Sequence, residues 1–178
     1  MIKSGLGLID VQGGLISGKV YPIFGDKKTG KTTILSCIHH NCGCSIVCND
    51  TNEYETPLAL NLDRFKPEYN TDFICKWNKV ISKIELMLES DKKPTLIIDI
   101  KKDVLTDSID IAKKYNIPVL ISIDSKSSIP FNILEDIIEI NKCKGNEFAR
   151  MVSFKDKSEI IKFDLSSNSL ISNLEYIN

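Results

Sequence analysis

Arginine is almost missing from this chain. Arg64 and Arg150 are the only two among 178 residues, and apart from two histidines every other basic residue is lysine. A bidentate guanidinium contact to phosphate or carboxylate must come from one of these two or from a partner, because lysine offers a point charge and not a planar fork. Net charge is −1, which excludes a global basic field drawing the chain onto nucleic acid. Aromatic residues make up 7%, and none is interleaved with lysines as a stacking platform for bases. Trp77, the single tryptophan, reads as a packing residue. No apolar run approaches the ~18 residues of a membrane helix, and Met1-Ile2-Lys3-Ser4 lacks the apolar core of a signal peptide. These absences predict a cytoplasmic protein with no membrane partner, whose six cysteines are reduced thiols. There is no internal repeat and no low-complexity tract.

What is present is concentrated in Val20 to Leu35, VYPIFGDKKTGKTTIL. An apolar run, Val20 to Phe24, reads as a buried strand. Gly25, four residues, Gly30, Lys31 and Thr32 then fill every position of the P-loop pattern. Ile34, Leu35 and Ile38 follow at helical spacing. The glycines let successive backbone N–H groups point inward as an anion nest, and the loop opens into a helix N-terminus whose dipole favours phosphate. Gly25, Asp26, Lys27, Lys28, Thr29, Gly30, Lys31, Thr32 and Thr33 are therefore candidate nucleotide-binding residues. Lys31 can reach the β- and γ-phosphates and the Thr32 hydroxyl can ligate Mg²⁺, while Thr33 reads as a helix residue. Binding of ATP follows from this loop; hydrolysis does not.

The hydrophobic fraction of 42% and charged fraction of 26% suit a single domain with a sizeable core. After a first helix over Lys31 to about His40, a strand is expected over Cys44 to Asn49. His39, His40, Cys42, Cys44 and Cys48 crowd this region, but their spacing matches neither usual paired zinc pattern, which favours core packing and a helix end over metal. A short strand is expected within Asp72 to Lys76, and Trp77 to Glu89 and Asp103 to Tyr115 carry helical apolar spacing. Pro94 to Asp99 is an apolar strand ending in an acid, the Walker B pattern. Asp99 is expected on a strand beside the P-loop strand, sharing Mg²⁺ with Thr32. Ile117 to Ile123 is another buried strand, ending at Asp124, which reads as a turn residue. Phe131 to Ile140 suggests a short helix or turn and then a strand. Phe148 to Phe154 and Glu159 to Leu165 alternate about a turn at Lys155 to Ser158, a β-hairpin. Residues 1–165 are expected to form the core and 166–178 a loosely attached tail.

Ahead of the P-loop, Gly5, Leu8, Asp10, Gly13-Gly14 and Gly18 punctuate a turn-rich stretch. Joined to Gly25 to Thr33, this resembles the entry to the core of RecA-like ATPases, in the style of the archaeal RadA and RadB recombinases and, more distantly, the KaiC-like ATPases. The resemblance implies an α/β fold: a three-layer RecA-like P-loop NTPase with a mostly parallel sheet and a C-terminal antiparallel hairpin. It implies a Mg²⁺-dependent ATPase acting in DNA recombination or repair, with DNA or a recombinase as partner and assembly into a homo-oligomer. In that family the second strand ends in Asp-Thr-Glu, whose glutamate activates water. Here Asn52 takes the matching position and Glu53 comes one residue later. Lys31, Glu53 and Asn52 are thus the candidate catalytic residues, with Asn52 able to orient water but not to accept a proton readily. The polar pair that senses the γ-phosphate in the family is replaced by Ser122 and Asp124. The two DNA-binding loops are reduced to Lys101-Lys102 and about Ser125 to Pro130. Such a chain resembles a stripped core, either a recombinase paralog or mediator with weak turnover, or a nucleotide-gated interaction module with little hydrolysis, or a KaiC-like signalling ATPase.

Overall fold

A computed structural model describes residues 1–49, 74–127, 129–164 and 169–173. Its frame is a nine-stranded sheet: β1 (Val20–Phe24), β2 (Ser45–Asn49), β3 (Ile74–Cys75), β4 (Thr95–Asp99), β5 (Val119–Ile123), β6 (Ile138–Cys143), β7 (Asn146–Phe154), β8 (Lys157–Asp164) and β9 (Ser169–Asn173), in the order β3-β2-β4-β5-β1-β6-β7-β8-β9. The first six pair in parallel and the last three continue as an antiparallel meander. The α-helices among the described residues are α1 (Gly7–Asp10), α2 (Lys31–Asn41), α3 (Val80–Glu89) and α4 (Leu105–Tyr115).

The parallel strands are apolar along their whole length because helices cover both faces. Tyr21, Ile23, Val47, Ile97 and Leu120 face α1 and α2, meeting Leu8, Ile9, Ile34, Leu35 and Ile38. The alternate residues Val20, Ile46, Leu96, Ile98, Val119 and Ile121 face α3 and α4, meeting Val80, Ile84, Leu105, Ile111 and Ala112. One strand period thus feeds two cores, giving the expected three layers. α4 carries Asp107 in its first turn and Lys113 and Lys114 in its last, matching the helix dipole, and stops at Asn116 in the left-handed conformation.

The mostly parallel sheet and the antiparallel hairpin are as expected, with the hairpin turn tightened to Lys155-Asp156 and Lys155 at φ 55°. Two placements differ from the sequence reading. β4 does not lie beside β1: β5 runs between them, paired to both. An apolar run buried on both faces carries no mark of its neighbour, so spacing alone could not order these strands. Ser169–Asn173, inside the stretch read as a tail, pairs antiparallel along β8.

In the crowded Cys/His stretch, packing and a helix end account for part of the composition among the described residues. Cys37 and Cys48 are buried in the helix and strand layers, and burial pushes the Cys37 thiol up to about 12. The Cys42 thiol donates to the carbonyls of His39 and Cys44, and His39 Nδ1 meets the Ser45 hydroxyl. No helix among the described residues is long and apolar enough to cross a membrane.

Candidate nucleotide-binding site

β1 ends at the carboxyl edge of the sheet, and residues 25–30 curl from it into α2. Gly25 is required there by crowding: a Cβ would lie 2.7 Å from the Ile140 carbonyl oxygen on β6 and 2.7 Å from Thr29 Oγ1. Gly30 is required by conformation. It sits at φ 96° as the residue preceding the first turn of α2, a region open to glycine at little cost. Lys28 also adopts positive φ, 63°. Thr29 is buried and closes the loop on itself, its hydroxyl donating to the Asp26 carbonyl at 2.9 Å. No side chain caps α2 at its start, so its first N–H groups stay available to an anion.

Lys31 folds back over the loop. Its ammonium donates to the Gly25 carbonyl and pairs with Asp124 Oδ1 at 3.3 Å. The Thr32 hydroxyl donates to Asp99 Oδ2 at 2.7 Å. That contact spans β5, because α2 packs across both β4 and β5 and carries its first turn over to the end of β4. A hydroxyl and a carboxylate brought together at a strand edge form the oxygen donor set a hard cation such as Mg²⁺ takes. The residues present therefore fit the metal that the P-loop pattern implies.

Of the candidates read from sequence, Gly25 to Thr33 and Asp99 come together in one place. Asn52 and Glu53 lie outside the described residues. Two further residues join the site. Asp124, read as a turn residue where the resemblance implies a sensing pair, stands at the end of β5 against Lys31. Arg150, on β7, is 8% exposed and supports the loop from behind: its Nε donates to the Thr29 carbonyl at 2.6 Å, and Nη1 to the carbonyls of Glu147 and Ala149 at 2.7 and 2.8 Å. One of the two arginines is thus committed within its own chain. A signal existed in the sequence, since Arg150 shares the inward register of Val152 and Phe154. A charge in that register must be met by fixed acceptors. Beside the site, the ends of β4 and β5 enclose a cleft of about 180 Å³ lined by Lys101, Lys102, Asp103, Ser122, Asp124 and Ser125 among others.

No protein-family model matches the chain, and no curated protein matches it by sequence. By structure it is similar to the crystal structure of the RadB recombinase, with a TM-score of 0.62 over 96% of this chain and 98% of that one, at 15% identity. At that identity the likeness establishes the fold, which is RecA-like and of the RadB type.

Proposed function

We propose, from the fold shared with a RadB recombinase, that this chain binds ATP at residues 25–33 and acts as a recombinase paralog or mediator in DNA recombination or repair, with weak Mg²⁺-dependent ATPase activity. The observation that carries the nucleotide reading is the convergence of an uncapped helix start, Lys31, and the Thr32–Asp99 pair at one sheet edge. In this reading Gly25, Asp26, Lys27, Lys28, Thr29 and Gly30 supply the backbone nest. Lys31 holds the β- and γ-phosphates, and Thr32 and Asp99 hold Mg²⁺. When bound, Mg²⁺ neutralises phosphate charge and fixes the polyphosphate. Asn52 orients the attacking water and Glu53 takes its proton. DNA or a recombinase is the partner, and a homo-oligomer the assembled form.

The binding half of this reading is tested by Lys31→Ala, which should abolish nucleotide binding measured by calorimetry; unchanged ATP affinity would refute it. The functional half is tested by ATP hydrolysis with and without single-stranded DNA at two salt concentrations. DNA stimulation that fades with salt supports DNA contact, and a rate indifferent to DNA removes it. The second reading, a nucleotide-gated interaction module with little hydrolysis, draws on Asn52 standing where an acid is expected. A large gain of turnover in Asn52→Glu favours that reading, whereas loss of a substantial rate in Glu53→Gln favours the enzyme.

A further inference from the structure

The nucleotide reading leaves Asp124 without a role. Asp124 Oδ1 lies 3.3 Å from Lys31 Nζ, and the two side chains differ sharply in setting: Lys31 is 12% exposed and Asp124 82% exposed. The half-buried lysine is held by the loop, and the acid reaches it from the solvent side. β5 lies between β4 and β1, so its end, and Asp124 with it, stands between Asp99 and the P-loop. The nearest lysine in sequence does not offset this charge, because Lys126 is paired with Glu139 and lies 4.9 Å from the centre of the Phe24 ring. The ammonium that would receive a terminal phosphate thus already has an anion against it.

We propose that Asp124 sets the phosphate-number preference of this site, favouring a nucleoside diphosphate over a triphosphate; the inference rests on the nucleotide-binding reading above. A diphosphate asks one N–H of Lys31 for its β-phosphate, and the ammonium has a third N–H for it with the Gly25 and Asp124 contacts kept. A triphosphate brings its terminal phosphate to Lys31 and must either displace the carboxylate or accept like charge close by. Such charge at contact distance weakens binding on the order of tenfold when partly exposed to solvent. An amide in the same place removes the repulsion.

The test titrates the full chain with Mg-ADP and with a non-hydrolysable Mg-triphosphate analogue by calorimetry, in the wild type and in Asp124→Asn, Asp124→Ser and Asp124→Glu. The wild type is expected to bind the diphosphate at least as tightly as the analogue. Asn and Ser variants should tighten the analogue about tenfold and leave the diphosphate within about twofold, and Glu should keep the wild-type preference. A wild-type preference for the analogue of tenfold or more overturns the inference without any variant, as does an equal change for both ligands in the neutral variants. If wild type and all variants bind neither nucleotide, the nucleotide reading fails and this inference falls with it.

Discussion

Glu159 is the least comfortable residue of the described chain. It lies on β8 with 1% of its surface exposed, in the inward register of Ile161. Oε2 accepts from the Leu8 backbone N–H at 3.1 Å, and Oε1 has no partner. Burial raises its pKa above the ordinary carboxylate value, partly offset by the Leu8 bond and reinforced by Asp10. The neutral acid is therefore favoured in the folded state. For a raised acid the stability it allows is fully present below the unfolded value and declines as pH rises through the folded one. Each tenfold change in proton affinity corresponds to about 1.4 kcal/mol. Thermal unfolding between pH 4.5 and 8 should show wild-type stability falling relative to Glu159→Gln as pH rises; parallel profiles would contradict this. Neither Glu159 nor Arg150 stands out in a hydropathy pattern, because each occupies one inward slot of a strand that still alternates. Both become visible only when strand register is read residue by residue. Asp124 was harder, since a polar residue after an apolar run is the ordinary mark of a turn, and its partner is 93 residues away.

Among elements, the P-loop is the clearest case of local sequence dictating local structure, yet its rigidity is supplied from far along the chain. Ile140 on β6 crowds Gly25, and Arg150 on β7 ties down the Thr29 carbonyl. The antiparallel extension is therefore the loop's backing as well as the sheet's edge. Arg150→Lys keeps the charge but loses the fork that serves three carbonyls at once. Hydrogen bonds to charged groups contribute about 1.5–3 kcal/mol each, so denaturation should show a loss of at least that order, accompanied by weaker nucleotide binding. Unchanged affinity in a destabilised variant would confine Arg150 to the sheet. The strands themselves were legible as apolar runs and the helices as 3.6-residue spacing. Their order was not, because β4, β5 and β1 are equally apolar and equally covered. β9 was missed because Ser169–Asn173 is short and follows the polar run Ser166-Ser167-Asn168, and pairing along an edge asks little of composition.

At the scale of the molecule, the candidate site gathers its parts from widely separated stretches of the sequence. β1, β4 and β5 bring Lys31, Asp99 and Asp124 to one sheet edge, and β6 and β7 close the loop from the other side. A ligand held there contacts groups whose positions depend on the whole parallel sheet, so its binding free energy is felt as global stability. At 100 times the dissociation constant a ligand specific for the folded state adds about 2.7 kcal/mol. For a chain of this size each kcal/mol raises Tm by about 2–4 °C, so saturating Mg-nucleotide should raise Tm by about 5–11 °C. Because Thr32 and Asp99 are the metal's candidate ligands among the described residues, chelating Mg²⁺ should remove a large part of that shift, and Asp99→Asn should do the same with Mg²⁺ present. Lys31→Ala should abolish it. Differential scanning fluorimetry of the three proteins, with and without chelator, measures this directly. A full shift that survives both chelation and Asp99→Asn would mean that the Thr32–Asp99 contact is a structural clasp between α2 and β4 rather than a metal site, even if nucleotide binds beside it.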